Sequence, residues 1–137
     1  MMNYVDQTEF SSVDGSHQGN CMSACLANLL DITLANIPNF AAMPEETWFA
    51  DFNLLLENNG YRYEGCFYFS ETQTWKDLLA SSDGISGAFM VAGDSPRAYV
   101  TAGHAVLYKN NEMLHDPHPS RAGVLNLEYA FMIERAA

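Results

Sequence analysis

Positive charge is scarce in this sequence. Six lysines and arginines stand against 17 acidic side chains, a formal net charge of −11. Arg62, Lys76, Arg97, Lys109, Arg121 and Arg135 are scattered and form no basic run. That balance argues against nucleic-acid phosphates and against anionic membrane as partners. Cysteine is sparse and odd in number: Cys21, Cys25 and Cys66 cannot all pair. In a reducing compartment they are free thiols, and a free thiol either fills core or does chemistry. Long apolar runs are missing, and a bilayer-spanning helix needs about 20 such residues. Met1 to Phe10 shows no basic region followed by an apolar core, so no secretory leader is read and a cytoplasmic protein is expected. Internal repeats, low-complexity tracts and linkers are also lacking, which leaves residues 1–137 as a single domain. A chain of this length buries about 68% of its unfolded surface, enough for a core without staples.

What is present reads as helices followed by strands. Residues 1–17 are polar, carry the turn pair Asp14-Gly15, and form an extended or irregular arm. Met22, Cys25, Leu26, Leu29 and Leu30 recur at helical spacing, with Asn20 as N-cap, and predict a buried helix over Cys21 to Leu30. A second helix is predicted over Pro44 to Asn58, with Glu45 and Glu46 at its positive end and Gly60 just beyond it. A strand over Arg62 to Phe69 and a short helix over Thr74 to Ala80 follow. Strands are then expected at Gly87 to Ala92, Gly103 to Lys109, Glu112 to Asp116 and Leu127 to Glu134. This order predicts an α+β fold with helices packed on an antiparallel sheet.

Two segments carry candidate chemistry. In Gln18-Gly19-Asn20-Cys21, the cysteine falls at the first turn of a helix. Backbone N–H groups and the helix dipole there stabilise a thiolate, and free amides at the same turn can hold an oxyanion. Gln18 could add a side-chain amide donor. The plainer role for Cys21 is packing, and Cys25 and Cys66, among apolar and aromatic neighbours, read as core. The second segment has His104 at the start of one strand and Asp116 at the end of the next. A strict two-residue turn at Asn110-Asn111 would set His104 opposite Pro117 and turn Asp116 to the other face of the sheet. A three-residue loop would set His104 opposite Asp116, where a carboxylate fixes the imidazole tautomer. Spacing does not choose between these loops. A catalytic pair requires the three-residue loop or a compensating bulge.

Together these residues resemble a known arrangement. Asn20-Cys21-Met22-Ser23-Ala24-Cys25-Leu26-Ala27-Asn28-Leu29-Leu30 resembles the active-site helix of double-glycine leader peptidases, which are papain-like domains. Gly103-His104-Ala105-Val106-Leu107 resembles their Gly-His-aliphatic strand, and Asp116-Pro117 their Asp-Pro. The resemblance covers about residues 18–31 and 103–119. It implies a papain-like fold, Cys21 as nucleophile, His104 as base, Asp116 as orienter and Gln18 as oxyanion donor. Three features depart from that family. Met22 replaces the glycine after the nucleophile, Gln18 lies three residues before the cysteine rather than about six, and no transporter is attached. Gly19-Asn20-Cys21 also looks like the start of the ovarian-tumour deubiquitinase active site. The same segments, with Ser95-Pro96-Arg97 and His115 to Gly123, resemble a group of small uncharacterised bacterial and phage proteins.

The expected function is therefore a cysteine hydrolase acting on a peptide, isopeptide or other acyl substrate, with no cofactor. Arg97 and Arg121 are candidates to bind a carboxylate or phosphate on that substrate, with His118 as a further substrate-binding residue. One alternative is a catalytically decayed papain-like binding or inhibitor protein, favoured by Met22. Another is a metal site built from His104, His115, Asp116 and His118, or from His17, Cys21 and Cys25.

Overall fold

A computed structural model describes residues 4–12, 14, 16–97 and 103–136. Helix α1 spans Cys21–Leu30, α2 Glu45–Asn58 and α3 Trp75–Ser81. Two single 3₁₀ turns, Leu34–Asn36 and Phe40–Ala42, bridge α1 and α2. Strands β1 Tyr61–Tyr68, β2 Ala88–Asp94, β3 Gly103–Lys109, β4 Glu112–His115 and β5 Tyr129–Arg135 form one antiparallel sheet in the order β1-β5-β2-β3-β4. The α+β expectation holds, and the expected elements are present within two residues at nearly every boundary. The last strand begins at Tyr129, two residues after Leu127, and Glu128 N–H already bonds the Ala92 carbonyl just ahead of it. Chain order does not give the sheet order: β5 returns to the middle, between β1 and β2. Gly15 of the expected Asp14-Gly15 turn lies outside the described residues.

The sheet is covered on both faces. Met90, Leu107, Phe131 and Ile133 face α1 and α2, packing against Leu26, Leu30, Phe52 and Leu56. The alternate residues Phe89, Val91, Val106 and Ala130 face Leu78 of α3. That alternation is the period-two pattern of a pleated strand with both faces buried. Phe52 is fully buried and sits in an aromatic cluster with Phe40, Tyr63 and Phe131. Truncating such a side chain to alanine costs about 3–5 kcal/mol. Among the described residues no single helix is long and apolar enough to cross a membrane.

Local chemistry sets the ends of the helices. The carboxylate of Asp77 accepts the Thr74 N–H, completing a capping box at the start of α3. Asp31 ends α1 in the left-handed conformation, φ 56°, its N–H bonded within the last turn. Asn20 occupies the N-cap position of α1, yet its side chain does not cap. Its Oδ1 accepts the N–H groups of Thr8 and Glu9, both at 2.9 Å, and its Nδ2 donates to Thr8 Oγ1 at 3.0 Å. The arm thus takes the side chain that the sequence assigns to the helix.

Candidate active site

Cys21 opens α1 and is half-buried, with Sγ accepting the Ala105 N–H of β3 at 3.4 Å. The packing of α1 on β2 and β3 brings helix start and strand start together across 84 residues of chain. His104 lines the same cavity as Cys21, and the neighbouring sulfur favours the protonated ring. His104 Nε2 stands 2.6 Å from Asp116 Oδ1. With Nε2 turned to the carboxylate, Nδ1 is the nitrogen left for the sulfur. A neutral ring in that tautomer accepts the thiol proton on Nδ1, as a general base must.

Asp116 reaches His104 through a bulge. The β3–β4 turn is the two-residue form: Lys109 pairs with Glu112 and Tyr108 with Met113. Asn110, not Asn111, is left-handed, with φ 53°. The register then slips by one residue, so that Leu107 pairs with His115 and Leu114 is extra. Counting on from that pair, Asp116 falls on the same side as His104 instead of the opposite one. The compensating bulge is therefore the device present, and the three-residue loop is not.

The carboxylate is fully buried and has three donors. Besides His104, it accepts the His118 N–H at 2.9 Å and the Gly123 N–H at 2.7 Å. Burial disfavours its charge, but these three bonds outweigh that and hold its pKa below 3.8. Burial likewise opposes charge on His104, yet Asp116 and Cys21 lift its pKa from 6.5 to about 9. His104 is therefore an imidazolium at neutral pH, poised to donate a proton. The deeper Cys25 is wholly buried, and burial pushes its thiol well up. Cys25 packs in the core as expected. Cys66 is half-buried, 2.9 Å from the Tyr63 hydroxyl.

A cavity of about 140 Å³ opens at Cys21 and His104. The N-terminal arm supplies one wall with Gln7, Phe10 and Ser11; Ser95, Arg97 and His118 supply the other. The arm is tied down at its root by Val5 and Asn28, which exchange two hydrogen bonds, and by Gln7 N–H to the Pro117 carbonyl. Sequence reading missed Gln7, which lies in a polar stretch without pattern. Its Nε2 donates to the Glu9 carbonyl at 2.9 Å, while Oε1 is buried and unpartnered.

The remaining candidates separate. Arg97 and His118 line the cavity. Gln18 and Arg121 are not among its lining residues; the Gln18 carbonyl accepts Asn39 Nδ2 at 2.9 Å. Arg121 Nη1 bonds Asp6 at 2.6 Å and the carbonyls of Asp116 and His118 at 2.7 and 3.1 Å. It therefore braces the loop that carries Asp116. Met22 packs against the core and is likewise outside the cavity lining. His115 stacks on Tyr4, and its Nε2 lies 3.1 Å from Asp6, out of line for a hydrogen bond. His17 pairs with Glu9 at the surface. Among the described residues no group of three or more His, Cys, Asp or Glu side chains is arranged to hold a metal ion.

No family model matches the chain, and neither the curated proteins nor the solved structures give a match.

Proposed function

We propose that the chain is a cysteine-dependent hydrolase of papain-like design, acting on a peptide, isopeptide or related acyl bond. The observation that carries this reading is the His104–Asp116 pair set in one cavity with Cys21, at the start of α1. The Cys21 thiolate attacks the substrate carbonyl carbon, forming a C–S bond and a tetrahedral oxyanion. The backbone amides that begin α1, which Asn20 does not cap, are the donors for that oxyanion. The His104 imidazolium gives its proton to the leaving amine as the C–N bond breaks, leaving a thioester. Water then loses a proton to His104 and attacks the thioester, releasing the acid and the thiolate. Asp116 holds the ring and its charge throughout.

Met22 does not weigh against this chemistry, since its side chain packs into the core instead of the cavity. The test is labelling with iodoacetamide, read cysteine by cysteine by mass spectrometry. Cys21 should react selectively over Cys66 and Cys25, and His104→Ala should remove the selectivity. Equal labelling of Cys21 and Cys66 in the unmutated chain would refute the hydrolase and leave a binding protein on the same fold.

A further inference from the structure

The arginines differ in what they face. Arg62 pairs with Glu64, Arg121 with Asp6, and Arg135 lies over the Tyr61 ring. Arg97 is half-buried and lines the cavity with Cys21 and His104. Its guanidinium donates to Ser120 Oγ at 3.3 Å and meets no carboxylate among the described residues. That is unusual in a chain with 17 acidic side chains and six basic ones. No Asp or Glu is among the described residues that line this cavity. The one buried carboxylate among the described residues, Asp116, is already engaged by His104 and two amides.

His118 adds a second donor. Its Nδ1 accepts the Ser120 N–H at 3.0 Å, so the neutral ring carries its proton on Nε2. Phe10 packs edge-on against the ring at 5.3 Å, and the His104 ring stands 6.2 Å away. The imidazole is thereby fixed in the cavity wall, close to the reacting pair. Burial and the Arg97 charge both disfavour its protonated form.

We infer that this cavity is a carboxylate subsite, in which the Arg97 guanidinium and His118 Nε2–H bind a carboxylate carried next to the scissile carbonyl of the substrate. The inference rests on the hydrolase reading and names its substrate class. A guanidinium fork matches a planar carboxylate, and charge-assisted bonds of this kind are among the stronger ones. The cavity volume admits one short side chain or chain end, not a folded partner. The carboxylate is either the terminal carboxylate of a peptide or an Asp or Glu side chain beside the bond cleaved.

The experiment compares two alkylating probes at Cys21, anionic iodoacetate and neutral iodoacetamide. Each forms a thioether and releases iodide, so thiolate content cancels in the ratio of their rates. Arg97→Gln should lower the iodoacetate-to-iodoacetamide ratio about tenfold. Arg97→Lys should keep part of it, and Arg62→Gln, which removes one positive charge outside the cavity lining, should leave it unchanged. In the unmutated chain, N-acetylglycine and N-acetylaspartate α-amide should be tried as protectants against iodoacetamide. Protection by the first assigns a chain terminus, and protection by the second assigns an acidic side chain. Protection by neither, or an unchanged ratio in Arg97→Gln, overturns the subsite while rapid His104-dependent iodoacetamide labelling keeps the hydrolase. If Cys21 resists both probes, the hydrolase reading falls and the subsite with it.

Discussion

His104 Nε2 and Asp116 Oδ1 lie 2.6 Å apart although the hairpin turn between them, taken alone, would put them on opposite faces. The one extra residue, Leu114, reconciles the turn with the contact. Its side chain is partly exposed, so packing is not its main role. Deleting Leu114 should give a strict ladder in which Leu107 still faces His115, so that Asp116 stays on the same side as His104. The expected result is a folded chain in which Cys21 labelling still depends on His104. Loss of that dependence would show that the bent shape of the bulge, and not the side of the sheet alone, places the carboxylate.

Replacing Asp116 by asparagine keeps the shape and removes the charge. His104 then loses the main group that offsets its burial, and its pKa should fall from about 9 towards 6.5. Imidazole nitrogen shifts followed against pH by NMR would register the change. The two amides of His118 and Gly123 also lose a charged acceptor. Breaking a buried pair in this way costs about 3–5 kcal/mol of stability, measurable by urea unfolding.

Stability should depend on pH through the same histidine. Its folded pKa, about 9, lies above the 6.5 of an ordinary imidazole. Below pH 6.5 both folded and unfolded chains carry the proton, and the stabilisation is fully present. Between 6.5 and 9 only the folded chain holds it, so stability falls as pH rises and the contribution is gone above 9. The side chain is 4% exposed, and the interval corresponds to about 3 kcal/mol. Asp116 acts in the other direction: its contribution is present above pH 3.8 and is lost as pH falls through its lowered folded value. Urea midpoints of the unmutated chain and of His104→Gln, compared from pH 6 to 10, isolate the histidine. Parallel curves would remove the raised pKa.

The parts of the fold that sequence reveals are those with a strong local period. α1 and β3 show it without interruption, and their bounds are those expected from the spacing. β1 alternates poorly because Glu64 and Gly65 stand opposite a single residue of β5, with Gly65 at φ 113°. The return of β5 to the middle of the sheet is a long-range choice that no short window encodes. Cys21, His104 and Asp116 were legible from residue type and order, while the bulge that joins the last two left no mark around Leu114. Asn20 misled for a specific reason: two arm amides compete with the helix for its side chain and win. Arg97 and Arg121 look alike in sequence beside Ser-Pro and Pro-Ser, and only tertiary contacts separate a cavity guanidinium from a loop brace.

Gly93 pairs with His104 across β2 and β3, and a Cβ built there would meet the Asn126 carbonyl oxygen at 1.7 Å. The neighbour is backbone and cannot swing aside. Gly93→Ala should therefore push β2 away from the 124–126 segment and disturb the strand that carries His104. A loss of at least about 1–3 kcal/mol is expected from such overpacking. Thermal unfolding gives the stability, and the His104 nitrogen shifts show whether the ring has moved. An alanine variant with unchanged stability and shifts would mean that the segment yields at no cost.

Asn20 ties the arm to the start of α1, and the arm supplies Phe10 and Ser11 to the cavity. Asn20→Ala removes two acceptor contacts and one donor contact without touching Cys21, His104 or Asp116. Leaving partly buried amides without their acceptor costs about 1–3 kcal/mol. The loss falls on the arm, because α1 is held independently by its packing on β2 and β3. Limited proteolysis should then cut within residues 4–19 sooner, while the rest of the chain stays resistant. Selective labelling of Cys21 by iodoacetamide should survive, since His104 is held by Asp116 and Cys21 by α1 and Ala105, none of them through the Asn20 side chain. The preference for iodoacetate should weaken, because the wall that packs Phe10 against His118 has loosened. Loss of all Cys21 selectivity in this variant would place the arm inside the reacting machinery and not merely beside it.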